Sequence, residues 1–182
     1  GCRTFCVVRH PAPSLCLAVF MKFYKYHALG NDYLVLDTAE WSGPELTPEN
    51  IRRICDRHLG LSSDGILWGP SPNDDTPFGL RIFNPDGSEA EKSGNGLRIF
   101  CRYLWDQQRV QTNTAFSVHT LGGLVDATVH EGGTEVTVSM GRVSFHSEEV
   151  PVAGAAREVL LEEITLREET WQFSAATIGN PH

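Results

Sequence analysis

Arg81–Leu104, RIFNPDGSEAEKSGNGLRIFCRYL, is the stretch whose reading decides the fold. Arg81-Ile82-Phe83 closes an alternating apolar run with the pattern of a strand. Pro85-Asp86-Gly87-Ser88 is turn chemistry: proline presets φ, aspartate bonds its local backbone and glycine accepts φ > 0. Ser93-Gly94-Asn95-Gly96 then brings bare backbone to the start of a helix. Beyond it Leu97, Phe100, Cys101, Leu104 and Trp105 recur at helical spacing on one face. A helix start exposes unpaired N–H groups at the positive end of a dipole, so an anionic group is favoured there, and glycines let it approach closely. Read alone, the same four residues also make an ordinary helix cap.

Two phosphate-loop readings fail on spacing. GNGLRI carries Ile99 where a dinucleotide fingerprint needs its third glycine or alanine, and its glycines follow a turn instead of a strand. No GxxxxGK[ST] occurs in the chain. The anion that fits is small, such as a carboxylate.

Upstream, Lys22–Asp37 has the pattern of a hairpin turning at Leu29-Gly30-Asn31-Asp32. Thr47 caps a helix with Pro48 at its first position and Glu49 beside it, and Ile51, Ile54, Cys55 and His58 share a face before Gly60 ends it. His58 reads as a packing histidine, buried or half-buried. Ser63–Trp68 and Phe78–Asn84 read as strands. Downstream, Phe116–Thr120, Leu124–Glu131 and Thr134–Met140 are strand candidates separated by Gly122-Gly123 and Gly132-Gly133, with His119 and His130 as strand surface residues. Arg157–Glu169 fits either an acidic helix or two short strands, and Trp171–Ile178 is strand-like. The fold class is therefore α+β: an antiparallel-rich set of strands around a mostly apolar helix.

Bulk numbers exclude several functions. The 182 residues are 41% hydrophobic and 21% charged, an ordinary globular mix. A net charge of −8 without a lysine or arginine cluster disfavours nucleic acid, whose binding needs several cationic phosphate contacts. No apolar run approaches the roughly 20 residues of a membrane span. Of the five cysteines, Cys55 and Cys101 sit on apolar helix faces, where a free thiol behaves as a small hydrophobe. No CxxC or HExxH offers a metal site, and an odd cysteine count without a disulfide framework favours a reducing, cytoplasmic setting. Residues 1–20 differ from the rest, lack the continuous apolar core of a signal peptide and precede Met21; they read as an N-terminal extension outside the fold.

The central stretch resembles the first active-site segment of the diaminopimelate epimerase family of cofactor-independent isomerases. Three further segments resemble the same family in the same order: Phe23–Asp37 (FYKYHALGNDYLVLD), Ile51–Leu67 (IRRICDRHLGLSSDGIL) and Ile178–His182 (IGNPH). The resemblance spans 21–182 and implies the first of two lobes, a mixed sheet curled around a central helix and ending at the passage between lobes. It implies a small amino-acid substrate, diaminopimelate, no cofactor, and substrate contacts from Asn31, Asn84, Gly94, Asn95 and Asn180. The H-x-L-G-N-D and F-N-x-D-G-S-E motifs favour this branch over phenazine-biosynthesis or proline-racemase relatives.

Inverting an amino acid without a cofactor requires acid/base groups on opposite faces of Cα and donors around the carboxylate, where charge develops. Family members supply one cysteine from each lobe. A thiol titrates near about 8.5, and lower at a helix N-terminus, so thiolate and thiol can exchange roles near neutral pH. Here Ser93 occupies the position of the first cysteine, and no second CG-x-G-like segment is present. A serine hydroxyl needs a neighbouring base, for which His27, His58, Glu89 and Glu91 are the candidates in sequence. The expectation is an inactive single lobe with a second lobe or self-association as partner; the alternative is a lobe that binds an amino acid or a protein without catalysis.

Overall fold

The computed structural model describes residues 21–178 together with Pro181 and His182. The extension 1–20 and the expected contact Asn180 lie outside the described residues. The chain divides into two compact units that meet between Ser139 and Met140.

Among the described residues, the first unit holds one mixed sheet of eight strands, two α-helices and a 3₁₀ turn at Glu131–Gly133. Strands β1 (Tyr24–Ala28) and β2 (Asn31–Leu36) form the expected hairpin. Its turn is the pair Leu29-Gly30, with φ of 55° and 88°, so Asn31 already stands in the sheet opposite Ala28. Helix α1 (Pro48–Cys55) follows, capped by the Thr47 hydroxyl accepting from Asn50 N–H at 3.3 Å. Strands β3 (Ile66–Ser71), β4 (Gly79–Phe83) and the short β5 (Glu89–Ala90) lead to helix α2 (Gly94–Asp106). After it come β6 (Ala115–Thr120), β7 (Gly123–Val129) and β8 (Val136–Val138). The order across the sheet is β1-β2-β3-β4-β6-β7-β8, with β5 pairing β4. Only β2–β3 and β4–β6 are parallel; all other pairs are antiparallel.

The sheet curls because α2 needs cover on nearly every side. Leu97, Phe100, Cys101, Tyr103 and Leu104 are completely buried, and α2 packs on β1 and β2 at one end of the strand order and on β7 and β8 at the other. A helix apolar around most of its circumference demands such a wrapping. The opposite face of the sheet is covered by α1, whose Ile51 and Cys55 join Phe23, Leu34, Leu36, Ile66 and Phe83 in a second cluster. Burial on both faces explains the unbroken apolar run of β2, where Tyr33 to Leu36 are all buried.

Three expectations change. Helix α1 stops at Cys55, because the Asp56 carboxylate accepts from the His58 and Leu59 backbone N–H groups, both at 2.7 Å, and tightens the chain into a turn. His58 is consequently exposed and packs in no core. Strand β3 starts later than expected and runs through Gly69-Pro70 across a bulge, a passage that proline disguises in the sequence.

The second unit is small. Val150, Val159 and Ala175 form its core with Val152 and Phe173 against them. Here the acidic segment resolves as strands: β9 (Glu162–Leu166) pairs with β10 (Glu169–Phe173) about an Arg167-Glu168 turn in left-handed conformation, φ 49° and 70°. Ile164, Thr165, Thr170 and Trp171 favour extended backbone, and this outweighs the helical preference of the glutamates.

Candidate active site

Ser93 is the N-cap of α2, in extended backbone, and its Oγ accepts the Gly96 N–H at 3.0 Å. Its carbonyl accepts from Leu97 N–H at 2.8 Å. The amides of Gly94 and Asn95, at the first two helical positions, have no carbonyl within the helix to bond, and they mark the positive end of its dipole. Gly96 is closely packed: a Cβ there would lie 3.1 Å from Leu67 Cδ2 and 3.1 Å from Ser93 Oγ, tight contacts that these side chains would have to yield to.

The hairpin brings its polar end to this helix start. Asn95 Nδ2 donates to Asn31 Oδ1 at 3.4 Å, and Tyr33 Oη lies 3.3 Å from Ser93 Oγ. Asn31 thus bonds Asn95 and Tyr33 approaches Ser93, two contacts between β2 and the same helix start, with Gly94 between Ser93 and Asn95 in the chain. Asn84 belongs to the turn before α2, where its Nδ2 donates to Ser88 Oγ at 3.0 Å. That turn has the expected chemistry: Asp86 Oδ1 accepts from Ser88 N–H at 2.9 Å and Gly87 adopts φ 89°, with Pro48 so close that a Cβ would meet its Cα at 2.6 Å.

None of the bases suggested in sequence bonds to Ser93. Glu89 is engaged by Arg81 through bonds of 3.0 and 2.8 Å, while His27, His58 and Glu91 are exposed. The side chain that does reach Ser93 is Tyr33, itself buried. Strand alternation places Tyr33 on the same side as Asn31, two residues away, and this signal was available in the sequence. Both described cysteines are free and buried, and burial pushes the Cys55 thiol up to about 11 and the Cys101 thiol up to about 12.

Further polar groups escaped the sequence reading. Asp64 Oδ2 accepts from Asn31 Nδ2 and from Asp32 N–H, each at 3.0 Å, and the Asp32 amide holds its carboxyl below the usual carboxylate range. Arg98 Nη2 donates to Asn95 Oδ1. Beyond this group, an open cleft of about 1070 Å³ lies between β1, α2 and the β7–β8 connection, lined by Lys25, His27, Asp32, Arg98, Arg102 and Glu135 among others; its lining does not include Asn31, Ser93 or Asn95. Among the described residues, no group of three histidine, cysteine or acidic side chains could hold a metal ion, and no helix is long and apolar enough to cross a membrane.

The curled mixed sheet around one helix is a fold that this chain shares with solved structures. Solved structures of a hydroxyproline epimerase from Agrobacterium vitis and a probable proline racemase from Agrobacterium radiobacter both align at TM-score 0.57, with 17% and 18% identity. Each alignment covers 85% of this chain and 48% of the other, and it shows the shared fold. The diaminopimelate epimerase family model matches residues 23–146. A relative from Nostoc sp. named diaminopimelate epimerase 2 is 58% identical over 162 residues, covering 89% of this chain and 56% of its own length. A diaminopimelate epimerase from Synechocystis sp. is 35% identical over 164 residues, covering 89% of this chain and 58% of its own. The chain belongs to the diaminopimelate epimerase family, and it spans a little over half the length of these curated relatives.

Proposed function

We propose that this chain is the carboxylate-binding half of a cofactor-independent amino-acid epimerase acting on diaminopimelate in the cytoplasm. The observation that carries the reading is the helix start at Ser93–Gly96, joined to Asn31 through Asn95 in a chain 58% identical to a relative named for this activity. The lobe in this proposal spans residues 21–182 and ends at the passage between lobes that the resemblance implies. Asn84 and Asn180 complete the substrate contacts.

The chemistry follows from the groups present. Removing the Cα proton leaves an electron pair that delocalises into the carboxylate, and N–H donors fixed around that carboxylate lower the barrier. Gly94 and Asn95 amides, with the asparagine side chains, supply such donors without competing as bases. The proton itself must leave to a base on one face and return from an acid on the other. Ser93 is a poor base at neutral pH, since its hydroxyl ionises far above the thiol it replaces. Alone, therefore, the chain binds substrate and does not invert it. The serine equally supports a second reading, an amino-acid-binding lobe without catalysis in any assembly.

Titration of the chain with meso-diaminopimelate, followed by calorimetry or NMR, tests the binding site. Asn31→Ala and Asn95→Ala should each weaken binding about tenfold, the loss of one hydrogen bond to a charged group. Binding that is unaffected by both substitutions would remove the site from these residues.

A further inference from the structure

Two charged residues flank the asparagine pair, and their charges decide which way the amides face. At one end Asp64 Oδ2 accepts from Asn31 Nδ2 at 3.0 Å and from Asp32 N–H at 3.0 Å. At the other, Arg98 Nη2 donates to Asn95 Oδ1. Between them Asn95 Nδ2 donates to Asn31 Oδ1 at 3.4 Å. A carboxylate only accepts and a guanidinium only donates, so every bond along Asp64–Asn31–Asn95–Arg98 has its direction fixed from the ends. Turning over Asn31 would set its oxygen against Asp64 Oδ2. Turning over Asn95 would aim an NH₂ group at a guanidinium that cannot accept.

The consequence is a surface of donors. Each side-chain oxygen already accepts one bond in this series, and the second N–H of each amide takes no part in it. Such a surface suits a carboxylate and repels the ammonium group of the same amino acid, so it also sets the direction in which a zwitterion docks.

We infer that Asp64 and Arg98 are positioning residues, which lock Asn31 and Asn95 with N–H groups presented to the substrate carboxylate. The inference rests on the carboxylate site proposed above. The Asp32 amide keeps Asp64 ionised by holding its carboxyl below the ordinary range, so the lock persists through neutral and mildly acidic conditions.

The test follows the side-chain amide ¹⁵N–¹H resonances of Asn31 and Asn95 in the full chain, free and titrated with meso-diaminopimelate. Asp64→Asn keeps the shape but can donate as well as accept, so the direction is no longer imposed. Both asparagine resonances should then move or split while backbone resonances of β1 and β2 stay in place, and affinity should fall roughly tenfold. Arg98→Gln should do the same for Asn95, and Arg98→Lys, which restores a donor-only head, should rescue both readouts. Side-chain resonances in Asp64→Asn and Arg98→Gln that coincide with those of the unmodified chain would overturn the inference. If Asp64→Asn does not fold, the Arg98 pair decides. If the unmodified chain takes up no diaminopimelate, the proposed function fails on its own account, and the resonances of the free protein still decide whether the amides are locked.

Discussion

At the scale of single residues, the best-paired buried charge is outside the candidate site. Asp37, 1% exposed, receives Tyr103 Oη at 2.5 Å, Arg109 Nη2 at 2.6 Å and the Ala39 N–H at 2.9 Å. Removing it strands the buried Tyr103 hydroxyl while the exposed Arg109 guanidinium can hydrate, so Asp37→Ala should cost about 1–3 kcal/mol in urea denaturation, with Tyr103→Phe below that. A cost under about 1 kcal/mol would mean the pair is hydrated. Sequence could not reveal this, because the partners lie 66 and 72 residues away from Asp37. Asn31 and Asn95 were legible only through their motif, since alone each is ordinary turn or cap chemistry. Tyr33 was signalled by strand alternation, whereas Asp64 was not legible, because its bonds to Asn31 and Asp32 form only once the sheet assembles.

Helices and strands were easier to foresee. The α2 face Leu97, Phe100, Cys101 and Leu104 follows from 3.6-residue periodicity, and all four are fully buried. Boundaries failed where a side chain competes with the backbone, as at Asp56, or where proline interrupts a strand pattern, as at Pro70. Each helix carries one buried thiol, which gives these elements a pH signature. An unfolded thiol ionises near 9.0, whereas Cys55 and Cys101 stay protonated until about 11 and about 12. Raised folded values mean a stabilisation fully present below pH 9 and lost as pH rises through the folded values. The urea midpoint should therefore fall steadily between about pH 9 and 11, and Cys101→Ala should lose part of that slope. A midpoint flat across this range would contradict the buried, neutral state of both thiols.

For the molecule as a whole, the question is what each unit leaves open. In the second unit, β9 and β10 pair only with each other among the described strands, and one face of the hairpin carries Ile164, Leu166 and Trp171, which are 42%, 53% and 56% exposed. Exposed apolar side chains beside unpaired strand edges favour association. Sedimentation of the chain should accordingly depend on concentration, and Trp171→Glu should abolish the dependence; a strictly monomeric chain at high concentration would refute this. The central claim is the proposed chemistry, in which a lobe with Ser93 where the resemblance implies a thiol would hold the carboxylate and leave the Cα proton untouched. The most direct measurement is deuterium incorporation at Cα of diaminopimelate in D₂O, followed by NMR alongside a chirality assay. The unmodified chain should show neither exchange nor inversion, Ser93→Cys at most slow exchange with configuration retained, and Ser93→Cys supplied with a complementary second lobe full inversion. Inversion by the unmodified chain alone would contradict the account.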